Sequence, residues 1–274
     1  MQNHFAVMGN PIAHSLSPCI HQHFAEQSGI TLCYEKMAIE PAQFESSVLR
    51  FFVAGGKGLN ITLPFKERAF ALAKITTQRA KLAKAANTLW MENNLLHADN
   101  TDGVGLLRDL AHYLALKDKS VLVLGAGGAA RGILAPLLEA QVSSLVLANR
   151  TEEKAQILKQ DFPAIGVSAL STLTGSFDLI INATSASLSQ ETLALSPTLL
   201  HSHSFCYDLA YAIEKPTPFV GWAKNHQMAA VDGLGMLVEQ AAESFFIWHG
   251  MRPETKPVLQ ALRNKELLNL SRSG

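Results

Sequence analysis

The sequence predicts an α/β protein of two domains, of which the second contains a doubly wound parallel sheet. Three observations support this prediction. The apolar segment 121–124 ends at a glycine-rich turn and is followed by an apolar stretch of helical length. Further short apolar runs at 179–182, 205–208 and 228–231 are spaced widely enough for crossover connections. The first hundred residues alternate between strand-like and helix-like patterns of their own, which indicates a separate N-terminal αβα domain.

Composition excludes several classes of function. The chain has 274 residues, 48% hydrophobic and 17% charged, with a formal net charge of zero. This charge balance gives no basic field to attract nucleic acid, and no apolar run reaches the ~18 residues that a membrane span needs. We expect a cytoplasmic protein, because the chain starts in a predicted strand with no basic segment and cleavable apolar core.

Cysteine and histidine residues give no framework for a disulfide or a metal. The three cysteines are scattered and odd in number, which fits reduced thiols. His21 and His23, like His201 and His203, are two positions apart, and neither pair has an evident third ligand. We therefore expect no metal site.

The elements of the first domain follow from cap and turn signals. Ser17 and Pro18 predict a helix with Ser17 at the N-cap, ending by Gly29. A hairpin is predicted around Asn93-Asn94. The other predicted elements are strands at 4–8, 32–39 and 58–62 and helices starting at 41 and 64.

The second domain is expected to interrupt the first. Asp102-Gly103 opens a predicted linking helix that runs to about Leu116, and a long helix starts near Leu234. We expect the last helices to return to the first domain, with a ligand cleft between the domains. The predicted boundaries are 1–101, completed by 236–274, for the first domain and 102–235 for the second.

The glycine turn has the properties of a dinucleotide site. Gly125 permits a tight turn out of the strand, and Gly127 lets the backbone approach a pyrophosphate closely. The helix that starts near Gly128 directs its unpaired N–H groups at that phosphate. Ala130 is an accepted replacement for the usual third glycine. The alternative is an ordinary turn with no ligand, but a strand before, a helix after and a second strand beyond favour the dinucleotide.

The end of the second strand, at 149–151, indicates which dinucleotide. NAD sites usually place a carboxylate there, whereas this chain has Arg150, which can pair with a 2′-phosphate and stack on adenine. Thr151 is placed to bond the phosphate or cap the next helix, and Lys154 lies one turn further. We therefore predict NADP, the alternative being that Arg150 is a solvated loop charge.

Three polar clusters of the first domain lie in apolar surroundings: residues 15–17, residues 60–66, and Asn87 with residues 99–103. Strand alternation predicts Asn60 and Thr62 on one face, with Ile61 and Leu63 on the other. Lys66 lies at a helix start, where the helix dipole disfavours a cation. Each cluster also has a plain structural interpretation, as a helix cap or a surface charge.

Taken in order, the motifs resemble those of the shikimate dehydrogenase family over essentially the whole chain. These motifs are HSLSP at 14–18, NITLPFK at 60–66, AANTL at 85–89, DNTDG at 99–103, GAGGAARG at 125–132, NRT at 149–151, INATS at 181–185 and DGLGMLVEQAA at 232–242. NxTxPxK together with NTDG is far more specific than the glycine turn alone. The resemblance implies a Rossmann-like NADP-binding domain. It also implies reversible, NADPH-dependent reduction of 3-dehydroshikimate to shikimate, a step of aromatic amino acid (chorismate) biosynthesis.

The resemblance also implies roles for individual residues. Lys66 and Asp102 would be the catalytic acid–base pair. The substrate would be bound through its carboxylate or ring hydroxyls by Ser15, Ser17, Asn60, Thr62, Asn87, Tyr211 and Gln240. The cofactor would be bound by Gly125, Ala126, Gly127, Gly128, Ala129, Asn149, Arg150, Thr151, Lys154, Thr184, Leu209, Gly233 and Met236.

Some alternatives stay open at this point. Ser187 stands where the family often has glycine, and a serine would be strained there if the position needs positive φ. A quinate/shikimate dehydrogenase-like paralogue with broader substrate or cofactor use is the main rival, and a non-catalytic NADP-binding sensor is a second. A monomer and a homodimer are equally compatible with the sequence.

Overall fold

The computed structural model describes residues 3–187, 189, 191 and 193–267. These residues form two compact units, which we call unit 1 (Met1–Gly105 and Val238–Gly274) and unit 2 (Leu106–Leu237). The boundaries predicted from the sequence are 101/102 and 235/236. No helix in the described part of the chain has the length and apolar character to cross a membrane.

The elements alternate along the chain. The strands are β1 Asn3–Gly9, β2 Leu32–Ala38, β3 Gly58–Ile61, β4 Ile75–Thr76, β5 Thr88–Glu92, β6 Leu95–Asp99, β7 Ser120–Leu124, β8 Ser144–Asn149, β9 Gly166–Ala169, β10 Leu179–Asn182, β11 Phe205–Asp208 and β12 Ala229–Asp232. The helices are α1 Ser17–Ser28, α2 Phe44–Val53, α3 Lys66–Leu72, α4 Gln78–Ala83, α5 Asp102–Leu110, α6 Gly128–Glu139, α7 Glu152–Asp161, α8 Pro218–Asn225, α9 Leu234–His249 and α10 Thr255–Arg263.

Unit 1 contains a mixed sheet with helices on both faces. The strand order is β2-β1-β3-β5-β6-β4, in which β1 is parallel to β2 and β3, and β5 is antiparallel to both neighbours. Alternate residues of β1 point to opposite faces. Met8 belongs to the core that is covered by Phe44 of α2, Phe65 just before α3 and Ala69 of α3, whereas Phe5 packs on Trp248 of α9. Helix α9, although it comes late in the chain, therefore contributes to the core of unit 1.

Unit 2 contains a six-stranded sheet in the order β12-β11-β10-β7-β8-β9. All the strand pairs are parallel. The order reverses between β7 and β10, and in doubly wound sheets ligands bind beyond the carboxyl ends of the strands at such a point. The predicted α/β class and the Rossmann-like sheet are confirmed.

Several predicted boundaries are wrong in informative ways. Leu16, not Ser17, is the N-cap of α1, and it makes no side-chain cap bond. The hydroxyl of Ser15 instead accepts the backbone N–H of Ser17, at 3.3 Å. The linking helix α5 ends at Leu110 rather than about Leu116, because residues 111–113 are exposed and form turns that bond back to Leu107, Asp109 and Leu110.

The predicted alternation around 60–63 also fails at its end. β3 stops at Ile61, and Leu63 is 63% exposed instead of sharing the buried face of Ile61. The backbone N–H of Thr62 still bonds Met8 on β1, at 2.9 Å. The hairpin prediction is confirmed, with β5 and β6 joined by Asn93 and Asn94 at φ values of 52° and 60°.

Candidate active site

Lys66 and Asp102 form the ion pair at the centre of the candidate site in unit 1. The Nζ atom of Lys66 lies 2.6 Å from Oδ2 of Asp102. Asp102 is the first residue of α5, where the helix dipole favours a carboxylate. The side chains retain 28% and 11% exposure, so the pair is shielded but accessible. A cation and a carboxylate in contact, and open to a ligand, can hold and exchange a proton.

Asn87 connects this pair to the C-terminal part of unit 1. Its Nδ2 donates to Oδ1 of Asp102 at 2.9 Å and to Oε1 of Gln240 at 3.1 Å. Its Oδ1 accepts the backbone N–H of Thr101 at 2.9 Å. Asn87 is 2% exposed, so these bonds determine its orientation. The structure thus brings Lys66, Asn87, Asp102 and Gln240 together, although they are far apart in sequence.

Asn60 bonds Asn87, and both the oxygen and the nitrogen of its side-chain amide are hydrogen-bonded. Its Oδ1 accepts the phenol of Tyr34 at 2.7 Å, and its Nδ2 donates to Asn87 O and Ser244 Oγ at 3.1 Å each. Neither Tyr34 nor Ser244 was predicted from the sequence as part of the site. Ser244 follows Gln240 by one helical turn on α9, and that spacing was a usable signal. Tyr34 lies on β2 and gave no comparable signal.

Ser15, Ser17 and Thr62 follow the carboxyl ends of neighbouring parallel strands. β1 ends at Gly9 and β3 ends at Ile61, so the segments that carry the three hydroxyls start at the same edge of the sheet. The hydroxyl of Ser15 donates to that of Ser17, at 3.2 Å. Hydroxyl donors beside the start of α1 can bind an anion without a formal cation.

The glycine turn of unit 2 fits a pyrophosphate. Gly125 has φ +101°, and a Cβ there would lie 3.0 Å from the carbonyl oxygen of Ala183 after β10. At Gly127 and Gly128 a Cβ would meet nothing within 4 Å, so there is open space where α6 begins. Ala126, between Gly125 and Gly127, is partly buried, and Ala129, after Gly128, is exposed. A dinucleotide phosphate could therefore lie against the free N–H groups of α6.

The end of β8 leaves a basic side chain in solvent. Arg150 is exposed, and Lys154 is exposed on the first turn of α7. Asn149 donates through Nδ2 to the carbonyl of Thr151, at 2.7 Å, which fixes the bend between strand and helix. Thr151 is the N-cap residue of α7, but its side chain makes no cap bond. Thr151 therefore holds the predicted N-cap position, but its hydroxyl does not bond the first turn of α7.

The loop after β10 is built around a buried carboxylate. Asp208 accepts hydrogen bonds from Ser187 Oγ and Thr217 Oγ1 at 2.6 Å each and from Asn182 Nδ2 at 3.0 Å. Asn182 in turn accepts the hydroxyl of Thr184, at 2.7 Å. Burial raises the pKa of Asp208, and the hydroxyl donors oppose that shift.

Ser187 has no strained backbone. It is not among the non-glycine residues with positive φ in the described part of the chain. The expected strain at this position is therefore absent, and the serine hydroxyl supplies a donor to Asp208 that a glycine could not provide.

Leu209 and Gly233 follow the ends of β11 and β12. A Cβ on Gly233 would lie 2.3 Å from the carbonyl oxygen of Leu209, so only glycine allows this approach. Met236 lies on the first turn of α9. Burial raises the pKa of Tyr211, and the charge of Asp232 acts in the same direction. These residues of unit 2 lie after the carboxyl ends of the strands, as Thr184 does after β10.

No group of three or more metal-ligating side chains occurs among residues 3–187, 189, 191 and 193–267. His21 is fully buried in an aromatic cluster, where it stacks on Tyr34.

Comparisons with known proteins agree along the chain. Residues 7–89 match a family model described as the shikimate dehydrogenase substrate binding domain. Residues 109–211 match one described as shikimate / quinate 5-dehydrogenase, and residues 233–263 one described as the shikimate 5′-dehydrogenase C-terminal domain.

Individual relatives are similar over nearly their full length. An NADP(+) shikimate dehydrogenase of Legionella pneumophila (strain Lens) is 59% identical over 96% of this chain and 100% of that protein. The solved structure of an Ael1 enzyme from Pseudomonas putida has a TM-score of 0.90 and 44% identity, covering 95% of this chain and 98% of that one. A shikimate 5-dehydrogenase of Thermus thermophilus, solved with NADP(H) and shikimate, has a TM-score of 0.86 and 31% identity, covering 96% and 99%.

Proposed function

The chain belongs to the shikimate dehydrogenase family, and we propose that it catalyses the reversible, NADPH-dependent reduction of 3-dehydroshikimate to shikimate. The observation that carries this proposal is the contact between Lys66 Nζ and Asp102 Oδ2 at 2.6 Å. A protein that only sensed NADP would have no need for that pair.

The residues of unit 2 fit NADP. When bound, the cofactor supplies or takes the hydride at the substrate carbon. The turn at 125–129 would hold the pyrophosphate, and Arg150 with Thr151 and Lys154 would hold the 2′-phosphate. Asn149 would support this loop, and Thr184, Leu209, Gly233 and Met236 would line the nicotinamide end.

Lys66 would manage the proton. A protonated Lys66 can polarise the substrate carbonyl and donate a proton to the forming alkoxide, and a neutral Lys66 can take the hydroxyl proton in the reverse direction. Asp102 would hold the ammonium group in place through its 2.6 Å contact. Asn87 and Gln240 would orient the ring hydroxyls, because Asn87 already bonds both Asp102 and Gln240.

Binding of the substrate carboxylate would rest on hydroxyl groups. Ser15, Ser17 and Thr62 are the donors that this part of unit 1 provides, with Tyr211 of unit 2 predicted from the resemblance. Asn60 would support the binding residues around it, since its amide is already bonded to Tyr34, Asn87 and Ser244. We place the enzyme in the cytoplasm, as a monomer or homodimer acting on a small molecule.

The alternative is a paralogue that also oxidises quinate, which the shikimate / quinate description of the model matching 109–211 keeps open. The Ser15 and Ser17 pair favours the narrower enzyme.

One spectrophotometric assay tests the proposal. Shikimate and quinate are each supplied with NADP or NAD, and reduced cofactor is followed at 340 nm. We expect rapid reduction only with shikimate and NADP. Comparable rates with quinate or NAD would favour the paralogue. Measurable NADPH binding without turnover of any pair would contradict both.

A further inference from the structure

Tyr34 occupies a central place in unit 1 that neither the motifs nor the catalytic pair account for. It lies on β2, the outermost strand of the sheet, paired with Phe5 of β1. Its neighbours in sequence, Cys33 and Glu35, are exposed, whereas Tyr34 is partly buried and turned towards the substrate residues. A buried tyrosine hydroxyl usually has a hydrogen-bond partner. Here the hydroxyl is used inside the protein.

The phenol bonds one residue of the group that would bind the substrate. It donates to Asn60 Oδ1 at 2.7 Å. Burial raises the pKa of Tyr34 well above its usual value. The phenol therefore remains a protonated donor at working pH, and its single proton goes to Asn60.

The ring itself is held rigidly. His21 of α1 stacks on it with centroids 4.5 Å apart and ring planes 13° apart. His21 is fully buried, and neither ring nitrogen has a hydrogen-bond partner among the described residues, so the imidazole acts as a flat packing surface. Trp248 also packs on this imidazole, with ring centroids 5.3 Å apart. Tyr34 thus has little freedom to move its hydroxyl away.

This contact determines how Asn60 is oriented. With its oxygen bonded to Tyr34, Asn60 must direct Nδ2 towards Asn87 O and Ser244 Oγ, as observed at 3.1 Å each. The phenol is thus connected through Asn60 to Asn87, which bonds Asp102.

We propose that Tyr34 is a positioning residue for the substrate, which fixes Asn60, and through it Asn87, at the ring-hydroxyl end. This inference rests on the proposed function. It assigns Tyr34 a role in binding rather than in proton transfer, since its hydroxyl bonds Asn60 and no contact to Lys66 or Asp102 is seen among the described residues.

The test removes only the hydroxyl. We expect Tyr34→Phe to raise KM for shikimate about 5- to 20-fold, the range for a buried hydrogen bond whose partners lose it. We expect kcat to change less than about twofold and KM for NADP to stay constant, because Tyr34 belongs to unit 1. Tyr113→Phe is the matched control, since Tyr113 is 43% exposed in unit 2 and stacks on Phe205.

A double-mutant cycle separates positioning from a general loss of structure. Tyr34→Phe and Asn60→Ala should be non-additive in KM, because each removes the bond between the Tyr34 phenol and Asn60 Oδ1. Unchanged KM in Tyr34→Phe, or additive effects of the two changes, would overturn the role of Tyr34. Wild-type protein that fails to oxidise shikimate with NADP would overturn the proposed function itself.

Discussion

Lys66 and Asp102 begin two different helices, α3 and α5, and meet because both helices start at the same side of the unit 1 sheet. Lys66 could be assigned from its motif and from its unfavourable position at a helix start. Its partner Asn87 could be assigned as well, but its bonds to Thr101, Asp102 and Gln240 could not, since they depend on how residues 101 and 240 are brought together.

Lys66→Met should lower kcat about 10²- to 10⁴-fold, the usual contribution of a positioned acid–base group. NADPH binding should be unaffected, because Lys66 lies in unit 1. Initial rates at 340 nm and NADPH fluorescence titration measure the two effects. Lys81→Met, at an exposed position on α4, is the control. Normal turnover in Lys66→Met would remove this residue from the mechanism.

Arg150 is the residue on which cofactor selectivity depends. Arg150→Ala should weaken NADPH binding by about 1.5–3 kcal/mol, the range for a hydrogen bond to a charged group, and leave NADH binding nearly unchanged. Titration calorimetry with both cofactors measures the difference. Arg50→Ala on α2 should alter neither affinity. Equal losses for NADPH and NADH would contradict a 2′-phosphate contact.

His21 makes the stability of the protein depend on pH. Burial, aided by the nearby His249, lowers the pKa of His21 from 6.5 to about 3; the Asn60 side chain opposes this shift without bonding the ring. The unfolded chain binds a proton below about 6.5 and the folded one does not. Stability is therefore unaffected above pH 6.5 and falls as pH drops towards 3, by about 2 kcal/mol at pH 5.

Urea unfolding at pH 7.5 and pH 5.0 measures this effect. The loss of unfolding free energy between the two values should be about 2 kcal/mol smaller in His21→Phe than in the wild type. His112→Phe, at an exposed position, should keep the wild-type dependence. An unchanged pH dependence in His21→Phe would mean that His21 becomes protonated in the folded protein.

At the scale of elements, the sequence predicted those features that depend on residues close together in the chain. The glycine turn before α6, the hairpin between β5 and β6, and the start of α9 all follow from residues adjacent in sequence. The short elements β4, α4, β9 and α8 were missed. β4 has two residues and exists through pairing with β6, more than twenty positions further on. Such pairing leaves no periodic pattern in its own residues.

The hairpin gives a test at this scale. Asn93 and Asn94 both have positive φ, as a type I′ turn requires, and glycine is preferred at the second position. Asn94→Gly should therefore raise the unfolding free energy by roughly 0.5–1 kcal/mol. Asn94→Val should lower it by about 1–2 kcal/mol, since a β-branched residue is strained there. Urea denaturation measures the unfolding free energy of both variants. A higher unfolding free energy in Asn94→Val would contradict a type I′ turn at Asn93 and Asn94.

At the scale of the whole molecule, the sequence predicted an interrupted domain, and the structure divides into a discontinuous unit 1 and a continuous unit 2. Buried networks escaped prediction. Asp208, with Asn182, Ser187 and Thr217, is a polar cluster whose members come from the ends of β10 and β11 and from the two loops that follow these strands. Only the parallel sheet brings these loops to one edge, so no pattern along the chain could reveal it.

Ligand-dependent hydrogen exchange tests how the two units divide the chemistry. NADP alone should slow amide exchange at 125–129 and 150–154 in unit 2, where free N–H groups would bind phosphate. Shikimate alone should slow exchange at 15–17 and 100–102 in unit 1. Mass spectrometry of peptides resolves these segments. Protection of unit 2 alone by shikimate would contradict the assignment of substrate residues.

The discontinuity of unit 1 also bears on the order of events during synthesis. Its core needs Phe245 and Trp248 of α9, which pack on Phe24 and Phe5 from the start of the chain. Unit 2 is complete once Leu237 has been translated. Domains usually fold from the N-terminus as the ribosome advances. In this chain the first hundred residues cannot complete their hydrophobic core until α9 has left the ribosomal exit tunnel. We therefore expect unit 2, the NADP-binding unit, to fold first.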